Sequence, residues 1–229
     1  MKLEDLNLSE ELVSRLGHIK ELRPSQKKAI SAGLLDGKSV VVCTPTASGK
    51  TFIAELASIR AILEKEGKVV YLVPLVALAR EKYKEFKERY DGIFKVAMSI
   101  GDYDSSDSHL IDADLIISTS EKLDSLIRHH APWVMYTKLL VVDEIHLLNH
   151  VGRGPTLEIL ITMMKRLIKD VQILGLSATI GNPKELAGWL GAELVQDNWR
   201  PVPLQKGVLV ADKLTFVDDG LTTSEVSDD

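Results

Sequence analysis

The chain has 229 residues, 45% hydrophobic and 27% charged, enough for one α/β domain with a sizeable core plus a remainder. Its net charge of −5 counts mildly against a nucleic-acid partner, although binding depends on where positive groups are assembled, and no polybasic tail is present. No apolar run approaches the roughly 18 residues of a membrane span, the acidic start MKLEDLNLSEELV does not read as a signal peptide, and a single cysteine, Cys43, excludes an internal disulfide.

Two mixed stretches, 8–20 and 25–37, are predicted helices that precede the first core strand. A unit then recurs in which a short β-rich apolar run leads into a longer mixed helix. VVVCTP at 40–45 leads into 51–67, VVYLVP at 69–74 into 75–90, and DLIISTS at 114–120 into 121–130. KLLVVDE at 138–144 is followed by a helix over 155–170, and VQILGLSAT at 171–179 by one over 182–191. FKVAMSI at 94–100 is a further strand. Near-continuous apolar strands are expected where helices cover both faces of a parallel sheet, so the predicted fold is α/β, with a mostly parallel β-sheet and helices on both faces. Gly67 suits a left-handed cap after Glu64, Lys65 and Glu66, and Pro155 suits a first helical turn. Cys43, inside an apolar run, reads as a small buried hydrophobe, and a cytoplasmic location is expected. Beyond residue 200 the pattern changes: 202–210 reads as one strand, and 216–229 ends on polar and acidic residues without closing an element, as in a truncated chain.

TPTASGKT at 44–51 sits between a β-run and a helix, the context of a phosphate-binding loop. Backbone N–H groups of Thr46, Ala47, Ser48 and Gly49 can point at phosphate oxygens, Lys50 can reach the β and γ phosphates, and the Thr51 hydroxyl can ligate Mg²⁺. Gly49 admits close backbone approach. The general pattern begins with Gly where this chain has Thr44. LLVVDEIH at 139–146 ends a β-run in two carboxylates, which are costly there without a partner. Asp143 would hold Mg²⁺, partly through water, and Glu144 would orient and deprotonate the attacking water. His146 either bridges this site to the next strand or is a satisfied polar side chain; His129, His130 and His150 give no zinc pattern. SAT at 177–179 offers two hydroxyls, Ser177 and Thr179, at a strand end, for an adjacent carboxylate or a neighbouring domain.

The order of phosphate loop, DEIH and SAT resembles superfamily 2 helicases of the DExH type, and the resemblance covers residues 15–210. RPSQKKAI at 23–30 resembles the Q motif, which implies that Gln26 reads the adenine edge. PLVALAREKY at 74–83 and STSEKLDSLIR at 118–128 resemble segments lining the nucleic-acid track. GRGPTLE at 152–158 is similar to an Arg–Gly motif of the Ski-like branch, and 177–204 is most like the archaeal Hjm-type DNA repair and fork helicases of that branch. The resemblance implies a RecA-like P-loop domain at 23–200, with a helical extension at 1–22 and, at 201–229, the connection to a missing second RecA-like lobe. It implies ATP and Mg²⁺ as cofactors, and single-stranded or branched DNA as partner, with RNA not excluded. It also implies that the protein works as a monomer and that the isolated fragment does not unwind a duplex.

Thr119, Glu121 and Lys122 would lie near the track, with Thr or Ser capping the helix; Glu121 is equally a capping-box or first-turn acid. Arg80 and Arg153 are candidate phosphate contacts, Arg80 equally a member of a solvated helix face. Trp189 is expected to pack against the sheet and Trp199 to pin the connection to the next domain. A Ski-like RNA helicase and a nucleotide-gated nucleic-acid remodelling or binding module remain as alternatives.

Overall fold

The strand residues alternate between two buried clusters. Val40 and Val42 belong to one and Val41 and Cys43 to the other; Val69 and Tyr71 alternate in the same way with Val70 and Leu72. A strand with both faces apolar can bury both only if helices cover the sheet on each side. The computed structural model, which describes residues 3–6, 8–17, 19, 21–64, 67–101, 108–202, 205–210 and 213–217, has that architecture.

The strands are β1 (Val40–Cys43), β2 (Lys68–Leu72), β3 (Val96–Ser99), β4 (Leu115–Ser118), β5 (Thr137–Val142), β6 (Gln172–Ser177) and β7 (Glu193–Gln196). They form one seven-stranded sheet in the order β3-β4-β2-β5-β6-β1-β7. Every pair is parallel. The helices are α1 (Glu10–Arg15), α2 (Pro24–Ser31), α3 (Lys50–Leu63), α4 (Val76–Tyr90), α5 (Ser120–Arg128), α6 (Gly154–Leu167) and α7 (Pro183–Leu190). Helices α1 to α4 bury side chains such as Leu12, Ala29, Ile53 and Phe86 against one face. Helices α5 to α7 bury Leu123, Leu160 and Leu190 against the other. Leu3, Leu6, Leu16 and Leu22 join the first cluster, so the described N-terminal residues are part of that core.

The chain divides into two compact units, Met1–Trp199 and Arg200–Asp229. The second contains an antiparallel hairpin of β8 (Lys206–Val210) and β9 (Lys213–Val217), with Lys206 opposite Val217. Strands β7 and β9 were not among the predicted elements. The expectation for 216–229 falls, from 218 onward, outside the described residues.

Two local expectations are corrected. Gly67 is not the cap of α3, which stops at Leu63 with Glu64 as its cap; a Cβ on Gly67 would stand 1.9 Å from the Lys138 side chain, so close approach accounts for the glycine. Trp189 does not pack against the sheet: it is 39% exposed, and Ala187 and Leu190 make the buried contacts of α7. The buried tryptophan is Trp133. Cys43 is buried as expected, and burial pushes its thiol up despite the nearby Lys50 charge.

Candidate nucleotide site and nucleic-acid groove

Parallel strands leave all their C-terminal ends on one edge of the sheet, where ligands of open α/β folds bind. That edge carries the phosphate loop after β1, the Asp143–Glu144 pair after β5 and the Ser177 segment at the end of β6. Because β6 lies between β5 and β1, these three come together although the sequence separates them widely.

The loop is tied down by its own side chains. Thr44 Oγ1 and Ser48 Oγ are 2.7 Å apart, both residues fully buried, so the residue that replaces the usual glycine closes the loop through a hydroxyl pair. The Thr44 N–H donates to the Ser177 carbonyl at 3.2 Å, which joins the loop to the end of β6. Gly49 has φ +92°, a left-handed conformation that glycine accepts readily, and a Cβ there would stand 2.6 Å from Gln26 Nε2. Ala47 is also left-handed, at φ +64°. Lys50 Nζ donates to the Thr44 carbonyl at 3.0 Å.

Gln26 is 3% exposed and uses both ends of its amide on the protein: Oε1 accepts from the Arg23 N–H at 2.8 Å, and Nε2 donates to the Gly49 carbonyl at 3.2 Å. In this arrangement it ties α2 to the phosphate loop. Arg23 reaches the loop too, donating to the Ala47 carbonyl at 2.6 Å, while its guanidinium lies 5.5 Å from the Trp199 ring. A cleft of about 320 Å³ is lined by Arg23, Thr46, Ala47, Gly49, Lys50, Thr51, Asp143 and Glu144.

Asp143 accepts from the Glu144 N–H at 3.0 Å and from the Tyr71 hydroxyl at 3.2 Å. Burial and then the Glu144 charge push its carboxyl above the usual range, against the pull of the Glu144 N–H and the Lys82 charge. Glu144 itself has φ +52°, a strained conformation for a side-chain-bearing residue. Its Oε2 lies 3.2 Å from His146 Nδ1, but neither buried atom makes a hydrogen bond. His146 therefore faces back toward Glu144. Ser177 Oγ is buried without a partner, and Thr179 is exposed.

The donor set suits a hard cation. Mg²⁺ takes one or two protein oxygens, which the half-buried carboxylate of Asp143 and the Thr51 hydroxyl can supply, and completes its shell with water and phosphate. Among the described residues no cluster of three or more His, Cys, Asp or Glu side chains could hold a metal by itself.

A second hollow, of about 610 Å³, is lined by Pro74, Leu75, Val76, Ala77, Gly101, Thr119, Glu121, Lys122 and Arg153. It brings together the loop after β2, the start of α5 and the start of α6. Thr119 caps α5, its Oγ1 accepting from the Lys122 N–H at 3.4 Å. Lys122 thus holds the third helical position, and Glu121 is a first-turn acid outside any capping box. The Lys122 side chain is only 2% exposed. Arg153 lies at the start of α6 and donates to the Pro74 carbonyl at 2.9 Å, so it fastens the loop after β2. Arg80 is exposed on α4 and does not line this hollow.

Sequence reasoning missed Arg23, Tyr71 and Lys82. Arg23 stands in the quoted RPSQ run and could have been singled out; Tyr71 and Lys82 carry no sequence signal that places them beside Asp143.

The family model for DEAD/DEAH box helicases matches residues 23–186. The ATP-dependent DNA helicase Hel308 of Pyrococcus horikoshii is 51% identical over 225 residues, which is 97% of this chain and 31% of that relative. The Hel308 of Methanocaldococcus jannaschii is 52% identical over 206 residues, 87% of this chain and 17% of that relative. This chain therefore spans about a third or less of the length of these relatives. Among solved structures, the DUF1998 helicase MrfA bound to DNA superposes with a TM-score of 0.73 at 32% identity, covering 83% of this chain and 30% of that one.

Proposed function

The chain belongs to the DEAD/DEAH box helicase family, and from that premise we propose that it is the first, nucleotide-binding motor lobe of an ATP-dependent DNA helicase. The observation that carries the reading is the cleft in which Lys50 and Thr51, at the start of α3, face Asp143 and Glu144, just after β5. In this reading the N–H groups of 46–51 and the start of α3 cradle the phosphates. Lys50 exchanges the Thr44 carbonyl for phosphate oxygens, and Thr51 and Asp143 would hold Mg²⁺. When bound, Mg²⁺ offsets charge on the transferring phosphate and orients it. Glu144, whose Oε2 has no hydrogen-bond partner, takes the proton of the attacking water. Gln26 links nucleotide recognition to the loop, because the amide that would meet the adenine edge is oriented by its bonds to Gly49 and Arg23 and keeps a second N–H and a second lone pair for the base.

Single-stranded or branched DNA is the proposed substrate, as the relatives' names as DNA helicases and the DNA-bound neighbour support. The groove offers exposed Leu75 and Val76 beside Thr119, Glu121, Lys122 and Arg153; such a lining holds backbone and bases without reading sequence. Arg80 lies on the same helix outside the groove, where it serves as an approach charge. His146, Ser177 and Thr179 are the proposed coupling residues. Ser177 Oγ has no partner, and its carbonyl already holds the phosphate loop. Residues 1–22 are proposed as the helical extension and 23–200 as the motor lobe. Residues 201–229 would lead to a second RecA-like lobe that completes the site, in a monomeric protein.

The test is ATP hydrolysis by the proposed full-length protein with single-stranded DNA and with matched RNA at equal salt. DNA should stimulate turnover and RNA should not. Lys50→Ala should abolish turnover, and Glu144→Gln should lower it at least about 100-fold while nucleotide still binds. Equal or greater stimulation by RNA would move the assignment to an RNA helicase, and stimulation by neither to a partner-gated remodelling module.

A further inference from the structure

Lys82 stands beside the proposed metal pair and has no part in the reading above. It lies on α4 with its side chain 14% exposed; its Nζ donates to Thr51 Oγ1 at 3.3 Å and pairs with Glu85 Oε2 at 2.9 Å. Its charge also bears on Asp143, the other proposed metal ligand. One ammonium thus contacts one proposed metal ligand and bears electrostatically on the other.

A network continues behind it. Glu85 Oε1 accepts from Arg89 at 3.2 Å, Arg89 pairs with both oxygens of Glu55 at 2.6 Å, and the Tyr90 hydroxyl donates to Glu55. Glu55 lies on α3, the helix that begins at Lys50.

We propose that Lys82 is a positioning residue that stands in for the metal, holding Thr51 Oγ1 until a divalent cation arrives with nucleotide and drives the ammonium back onto Glu85. A cation ligated by Thr51 Oγ1 would sit about 2.1 Å from that oxygen. The ammonium now at 3.3 Å from the same atom would then face a divalent charge with little water between, and it must leave. Glu85 lies within reach on the next turn of the same helix, so the side chain can retreat without a backbone change. The first residues of α4 line the nucleic-acid groove, which places the lysine that senses metal on the helix that meets nucleic acid. The inference rests on the assignment of Thr51 and Asp143 as metal ligands.

The experiment is binding of a fluorescent ADP analogue to the chain across a Mg²⁺ titration, with folding of each variant checked by circular dichroism. Removing the competitor in Lys82→Met should lower the Mg²⁺ concentration for half-maximal binding by about fivefold, the scale of one partly exposed charge pair. Lys82→Arg should restore the wild-type requirement. Glu85→Gln, which removes the retreat, should raise it, and this opposite shift tests the proposal even if Lys82→Met does not fold. An unchanged or increased requirement in a folded Lys82→Met, or no rise in Glu85→Gln, overturns the proposal. Failure of the underlying reading looks different: the wild-type chain then shows no Mg²⁺-dependent binding, or Lys50→Ala binds as well as wild type.

Discussion

Asp143 is held in the folded chain at a cost that its proposed task explains. Burial and the adjacent Glu144 raise its carboxyl above the ordinary value, so the folded state binds this proton more tightly than the unfolded chain does. Its contribution is therefore unfavourable at neutral pH, where the carboxyl must ionise in place, and the penalty fades as pH falls below the folded value and through the unfolded one. Asp143→Asn should raise the melting temperature of the metal-free chain at pH 7 by about 2–4 °C. The gain should shrink as pH is lowered toward about 4, the unperturbed carboxylate value. Thermal melts at several pH values check this, and a variant less stable than wild type at pH 7 would contradict it. At this scale the sequence was informative wherever one residue type has one use: Gly49, Lys50, Thr51, Asp143 and Glu144 could all be singled out before any fold was known. It was uninformative for Lys82 and Tyr71, since a lysine on a helix and a tyrosine in a strand have many roles. Their position beside Asp143 depends on how α4 and β2 pack.

Helices α3 and α4 are joined by an ion pair that the packing buries. Glu55 is 2% exposed in the middle of α3, and both its oxygens accept from Arg89 near the end of α4. A buried carboxylate that loses its ion partner and keeps only the Tyr90 hydroxyl retains much of its desolvation penalty, so Arg89→Met should destabilise the chain by about 2–3 kcal/mol, while Glu55→Leu with Arg89→Met should recover part of that loss. Equilibrium denaturation of the two variants measures it, and additive losses would contradict the pairing. Element existence was largely legible, because β-rich runs alternating with amphipathic helices have distinct periods. Boundaries and reasons were less so. Gly67 has the composition of a cap signal but answers to the Lys138 side chain from the neighbouring strand β5. Strand β7 (Glu193–Gln196) is half polar and exists because β1 offers it an edge. Strand β9 likewise gains its partner only through the hairpin with β8.

The whole sheet predicts a gradient of stability. Strands β4, β2, β5, β6 and β1 are paired on both sides, whereas β3 and β7 are its edges and are less buried. In hydrogen exchange, amides of the five interior strands should open only with global unfolding, and those of β3 and β7 through smaller fluctuations. Edge amides as slow as central ones would contradict this. Among the described residues no helix is long and apolar enough to cross a membrane. The sequence by itself determined the class of fold and the residues of the candidate nucleotide site. Both are written in local signals: apolar runs of strand length, a glycine-bearing loop before a helix, paired acids after a strand. The tertiary structure alone decided which of these signals meet. Val40 pairs with Leu174 on one side and Glu193 on the other, so strand order is set by distant pairings rather than by succession along the chain. That order closes the cleft around Lys50 and Glu144, assembles the separate groove at Thr119 and Arg153, leaves Arg80 outside it, and brings Lys82 to Thr51.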